Sequence, residues 1–198
     1  MDAILVDSTQ ISLTFPQDAT ESVRRESVVD TVLHLIDDQR ADEVLVEGAD
    51  GSGKTTLLAQ VAMRTAEAGL SLFIRPLSSL ATDPHYLMAD LANQARYILF
   101  GEMRHEVQVP EAEFRTLISS LQTKARRQGP GGRIVIVVDG LEEFSEAQSA
   151  LRDDIVWKVL PFGRQGFKFV VSGDASVLPD ELLSKLEVRH SPVQLFSL

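Results

Sequence analysis

Of everything in this chain, the segment Gly48-Ala49-Asp50-Gly51-Ser52-Gly53-Lys54-Thr55 most narrows the folds open to it. It satisfies G-x-x-x-x-G-K-[ST] at every fixed position. Its flanks fit as well: Val44-Leu45-Val46 leads in as an apolar strand, and Thr56-Leu57-Leu58 opens a helix-patterned segment. Strand, glycine-rich turn and helix, in that order, make a cradle for phosphate. Glycines let backbone N–H groups turn inward, and the helix N-terminus adds a dipole that favours anions. Gly48, Asp50, Gly51, Ser52, Gly53, Lys54, Thr55 and Thr56 are therefore candidate nucleotide contacts. Lys54 is placed to reach the β- and γ-phosphates and act in catalysis, and the Thr55 hydroxyl to hold Mg²⁺.

A second constellation follows the run Ile134-Val135-Ile136-Val137-Val138, five consecutive β-branched residues suited to an interior parallel strand. Directly after it comes Asp139-Gly140-Leu141-Glu142-Glu143. A carboxylate at the C-terminal end of a parallel strand stands where open α/β sheets bind ligands, so Asp139 is the candidate metal partner of Thr55. Glu142 or Glu143 is placed to orient or deprotonate an attacking water, with the choice between them open. Ser172, at the end of the next expected strand, is placed either to bond phosphate or water, or to open the Gly173 turn.

The rest of the chain alternates strands with helices. An apolar stripe over residues 21–38 (Val28, Val29, Val32, Leu33, Ile36) predicts an amphipathic helix that leaves His34 on the surface. Gly69 reads as the residue that closes the helix after the loop. Leu70–Arg75 reads as a strand, and Asp83-Pro84 as the cap of a helix running to Gly101. Residues 101–110 read as a polar loop, and Phe114, Leu117, Ile118, Leu121 and Ala125 as a helical stripe. That helix ends in Lys124-Ala125-Arg126-Arg127, cations that complement its dipole. A helix over 147–160, with Trp157 as a packing residue, precedes a strand over 167–171, a short helix over 179–186 and a last strand near 193–196. Such alternation predicts a doubly wound, mainly parallel α/β sheet with helices on both faces. Residues 1–20 hold only the short alternation Ile11–Phe15, an edge strand or extended arm, so the nucleotide domain is assigned to 21–198. With Leu198 falling inside or just after a strand, a continuation into a lid or winged-helix region is expected.

Taken together, Gly48–Thr55 and Ile134–Glu143 resemble the nucleotide-binding core of the STAND class of P-loop ATPases, nearest its NACHT and AAA-like members. The strand bearing the acidic residues in that class typically reads as hydrophobics followed by D-G-h-[DE]-[DE], which Asp139–Glu143 matches position by position. Arg24-Arg25-Glu26 loosely resembles the G-R-E segment preceding the loop, without its glycine. The resemblance spans roughly residues 21–198 and implies a five-stranded sheet in the order 5-1-4-3-2. It implies Mg²⁺ and ATP or ADP as cofactors, neighbouring domains or subunits as partners, and a nucleotide-dependent switch with slow hydrolysis. Where the class often carries a sensor arginine, this chain has Ser172-Gly173-Asp174.

Composition closes off other classes. A formal charge of −10 argues against a nucleic-acid partner, which needs a basic face. No cysteine is present, so disulfides and thiolate metal sites are excluded. The N-terminus lacks the basic and apolar regions of a signal peptide, and no apolar run reaches membrane-spanning length. No membrane partner and a cytoplasmic location are the expectations. The sole asparagine, Asn93, falls mid-helix, against a guanine-reading N-K-x-D motif. A small P-loop kinase would need a cationic lid, for which residues 101–110 offer only Arg104, and a nucleotide-binding scaffold without turnover is the other alternative.

Overall fold

Five β-branched residues in a row have no polar face to show to water, so the strand they form must be covered on both sides. The computed structural model, which describes residues 7–16, 25–37, 43–75, 82–129, 131–173 and 193–194, places that strand inside the sheet. Strands β1 (Glu43–Glu47), β2 (Gly69–Phe73), β3 (Ile134–Asp139) and β4 (Phe167–Ser172) run parallel in the order β1-β4-β3-β2. A two-residue segment, β5 (Val193–Gln194), pairs with the outer edge of β1 at Val46 and Glu47. The short helix expected over 179–186 and the rest of the last expected strand lie outside the described residues.

Side chains alternate across the sheet, and each set meets its own helices. Helices α2 (Glu26–Asp37) and α3 (Lys54–Thr65) pack Val29, Val32, Leu57 and Val61 with Val44, Val46, Val135, Val137 and Val170 on one face. On the other, α4 (Pro84–Phe100) and α5 (Glu111–Arg127) bury Leu87, Leu91, Phe114 and Leu121 with Leu45, Leu72, Ile136, Val138 and Phe169. Asp83 caps α4 through its side chain, and Gly101 closes it in the left-handed conformation, as their residue types predict. His34 is exposed, and Lys124, Arg126 and Arg127 fall in the last turn of α5.

Three expectations are corrected. Ile11–Phe15 forms no strand: residues Ser8–Ile11 make a helical turn, α1, capped by Asp7, and residues 12–14 turn their polar groups to Asp90. Gly69 is not a helix-closing residue. It opens β2 so close to α3 that a β-carbon would stand 2.7 Å from the Thr65 carbonyl oxygen. The single helix expected over 147–160 is instead a 3₁₀ turn (Glu146–Gln148), a short helix α6 (Ser149–Asp154) and a π-helical turn (Ile155–Val159). That wider turn carries Ile155, Val156 and Val159 into the core and leaves Trp157 43% exposed.

As an outer strand, β2 has one row of backbone groups without a strand partner, an invitation to unwanted pairing. Side chains occupy it instead. The Gln94 amide accepts from Ser71 N and donates to Ser71 O, both at 2.8 Å, as a neighbouring strand would. Thr14 Oγ1 accepts from Phe73 N at 3.0 Å. Behind both lies Asp90, fully buried, whose carboxylate accepts from Leu13 N, Thr14 N, Ser12 Oγ, Thr14 Oγ1 and Gln94 Nε2. These five partners favour the ionised form, while burial, the larger effect, pushes the Asp90 pKa above the usual aspartate range.

Candidate functional site

The loop between β1 and α3 lies at the C-terminal ends of the parallel strands, where the sheet opens. Its glycines fit the backbone they occupy: Gly51 and Gly53 take φ of 75° and 87°, values that side-chain-bearing residues avoid. Gly53 caps α3 without a side chain, so the first N–H groups of that helix face the loop. Ser52 is buried, and its hydroxyl has no hydrogen-bond partner. Lys54 folds back over the loop, donating to Gly48 O at 2.8 Å.

Opposite the loop, β3 delivers Asp139, 2% exposed. Thr55 Oγ1 donates to its Oδ2 at 2.7 Å, and Ser172 Oγ to its Oδ1 at 2.6 Å. The D-G turn after β3 is sterically specified. Gly140 takes φ 89°, and a β-carbon there would stand 2.3 Å from Ile74 O. This turn sends Leu141 into the core and Glu142 back toward the loop, with Oε1 3.7 Å from Lys54 Nζ. Glu143 points away and is exposed. Burial pushes the Glu142 carboxyl above the usual glutamate range, and the Asp139 charge pushes the same way. Its backbone amide, Lys54 and Ser172 partly oppose the shift.

Ser172 lies fully buried between the acids, with its oxygen 3.3 Å from Glu142 Oε2 and accepting from Gly140 N at 3.3 Å. A hydroxyl has one proton to give, and the 2.6 Å contact assigns it to Asp139. Ser172 is thus engaged in orienting the carboxylate. Gly48, Asp50, Gly51 and Thr56 stand in the loop and first helical turn as their positions in the motif require.

Two arginines outside the loop and the acidic strand end also reach this region, Arg25 of the G-R-E-like segment and Arg75, which no motif singled out. Arg75, two residues past the end of β2, places Nη1 3.2 Å from Asp139 Oδ2. A charged residue at the C-terminal end of a strand beside an acidic one was the available signal. Arg25 lies so close over Gly53 that a β-carbon there would stand 2.7 Å from its Nη2, and its backbone N–H is held by Gln60. Arg24 is outside the described residues. Arg104, the one cation of the 101–110 loop, pairs with Glu102 and Glu106. The loop is further held by Asn93, whose amide donates to Glu106 O, and by Arg96, which pairs with Glu106 and Glu113.

The residues present suit a metal–nucleotide pair. Among the described residues no cluster of three or more histidines or acids forms a metal site of its own. One hydroxyl and one carboxylate in contact suit Mg²⁺, which keeps waters and takes further ligands from phosphate. A buried, unpartnered Ser52 hydroxyl inside an amide-lined loop suits a phosphate oxygen. Among the described residues no helix is long and apolar enough to cross a membrane.

A family model described as AAA ATPase domain matches residues 21–156. No curated protein matches the sequence. Among solved structures, the chain is similar to the Walker-type ATPase of Pyrococcus abyssi, with 14% identity, 94% of this chain covered and a TM-score of 0.51. It is also similar to Cdc6p from Pyrobaculum aerophilum, with 14% identity, 98% of this chain covered and a TM-score of 0.46. The chain spans 57% of the length of the first and 50% of the second. At 14% identity, the likeness to the first is one of fold.

Proposed function

The chain belongs to the AAA ATPase domain family, and on that premise we propose that it binds Mg²⁺·ATP in the Gly48–Thr55 loop as the nucleotide switch of a STAND-like regulatory protein, with slow hydrolysis. The observation that carries this reading is the 2.7 Å bond from Thr55 to Asp139, which joins two motifs 84 residues apart. The nucleotide domain is assigned to residues 21–198 with residues 1–20 as an arm. A complete five-stranded 5-1-4-3-2 sheet belongs to the same proposal, supported by the pairing of Val193–Gln194 with β1.

Lys54, the loop amides and Ser52 would hold the phosphates, and Thr55 and Asp139 the metal ion. When bound, the metal ion would neutralise phosphate charge and ATP supply the bond to be broken. Glu142 is the group placed to accept a proton from an attacking water. Its raised pKa makes it a better base than an exposed glutamate while Lys54 keeps it oriented. Asp139 is fixed by Thr55 and Ser172, so its carboxylate would not have to turn to receive a metal-bound water. Phosphate and Mg²⁺ ordering local loops is the physical basis for switching, and adjoining domains or subunits are the proposed recipients.

Guanine reading is disfavoured by the placement of Asn93, fully buried in α4 and bonded to Glu106. Equilibrium binding of a fluorescent ATP analogue to the wild-type chain and to Lys54→Ala tests the proposal. Affinity should fall about 10- to 100-fold in the variant, the loss expected for a charge-assisted contact. Equal affinity of the two proteins, or displacement of the probe by GTP ahead of ATP, would overturn it.

A further inference from the structure

Asp139 Oδ2 receives two donors in this structure: the Thr55 hydroxyl at 2.7 Å and Arg75 Nη1 at 3.2 Å. A carboxylate oxygen offers two lone pairs, so Oδ2 is saturated, while Oδ1 already serves Ser172. Thr55 gives its only proton to Asp139 and thereby keeps its own lone pairs free for a metal. A water on that metal would seek the Asp139 oxygen beside Thr55, and Arg75 holds that oxygen's second lone pair.

We propose that Arg75 is a positioning residue that latches Asp139 in the metal-free state and is displaced when Mg²⁺ arrives with nucleotide, so that it sets the Mg²⁺ concentration the site requires. The inference rests on the nucleotide-binding reading above. Asp139 is 2% exposed, and Arg75 stands against it as a cationic partner in the metal-free structure. Guanidinium and Mg²⁺ repel each other, so both cannot serve one oxygen at full strength. The means of release is in place. Arg75 is 35% exposed, at the mouth of the site, and among the described residues its other contacts are the Ile74 carbonyl and the face of Phe73, 5.8 Å from the ring centre. Leaving Asp139 returns it to water.

The test is a Mg²⁺ titration of ATP-analogue binding to the 198-residue wild type, Arg75→Gln and Arg75→Lys, with melting curves in EDTA of wild type, Arg75→Gln, Asp139→Asn and the double variant. Arg75→Gln should lower the half-saturating Mg²⁺ concentration about tenfold. Arg75→Lys should stay near wild type. In EDTA, Arg75→Gln should melt earlier than wild type, and this loss should vanish in the Asp139→Asn background. An unchanged or higher Mg²⁺ requirement in Arg75→Gln, with wild type binding normally, overturns the latch. An equal loss of affinity with and without Mg²⁺ also overturns it, because Arg75 would then act on phosphate. Failure of wild type to bind nucleotide at any Mg²⁺ concentration overturns the binding reading itself and the latch with it.

Discussion

Glu142 and Glu143 carry the same carboxylate one residue apart, and only the first turns toward Lys54. Nothing in the pattern D-G-h-[DE]-[DE] distinguishes them. The left-handed turn at Gly140 does, since it sets where each later side chain points. Phosphate release should therefore slow in Glu142→Gln and proceed near the wild-type rate in Glu143→Gln, with ATP retained by both. Slow release in Glu143→Gln alone would reverse the assignment. The raised pKa of Glu142 adds a pH effect whose sign is determined. A carboxyl that binds its proton more tightly when folded destabilises the fold once ionised. The cost is fully present above the folded pKa and relieved as pH falls through it toward the unfolded value. Glu142→Gln should accordingly raise the melting temperature of the nucleotide-free protein at neutral and alkaline pH, with the gain shrinking on acidification. A constant gain across that range would show that the charge of Glu142 is not its source.

Among the elements, β2 shows how a strand can be right in sequence and incomplete by itself. Its apolar residues predict a buried strand, and all five residues of the strand, Ser71 included, are buried. Its free edge is a different matter. Ser71 is completed by Gln94, 23 residues on and in the middle of a helix. A glutamine in mid-helix, one turn from Asp90, carries no sequence mark of such a task. Gln94→Leu fills the same volume but orphans Ser71 N–H and C=O and removes a donor from Asp90. At roughly 1–3 kcal/mol for each buried group left unsatisfied, the variant should lose about 3 kcal/mol by urea unfolding. It should also become prone to association through the uncovered edge. A neutral result would mean that water reaches Ser71 in place of Gln94. The π-helical turn at Ile155–Val159 has a similar lesson, because the periodicity of 147–160 fits one helix and only packing against α4 reveals the wider turn.

At the scale of the whole molecule, residues 7–16 of the arm pack against the nucleotide domain. Ser8 Oγ lies 2.9 Å from Ala66 O and 2.8 Å from Gly69 O, and the following residues supply four of the five donors to Asp90. Deleting residues 1–16 would take four of the five donors from that carboxylate and open it to water. The expected loss is about 3–5 kcal/mol, from those hydrogen bonds at about 1 kcal/mol each together with the apolar burial of Ile11 and Phe15. Asp90→Ala in the truncated chain should recover part of it. Failure of that second change to help would place the arm's contribution in apolar packing of Ile11 and Phe15 rather than in the charge.

The sequence by itself determined the loop, the acidic strand end, the alternation of strands and helices, and the exclusion of thiolate chemistry. Each of these is carried by residues close together in the chain, where hydrophobic period, glycine geometry and motif spacing act directly. What only the tertiary structure decided lies between elements distant in sequence. It turned Glu142 in and Glu143 out, occupied the proton of Ser172, brought Arg75 and Arg25 to the loop, and completed β2 with Gln94 and Thr14. The physical reason is the same in each case. Buried polar groups must find partners, and in a folded chain the nearest partner in space is seldom the nearest in sequence.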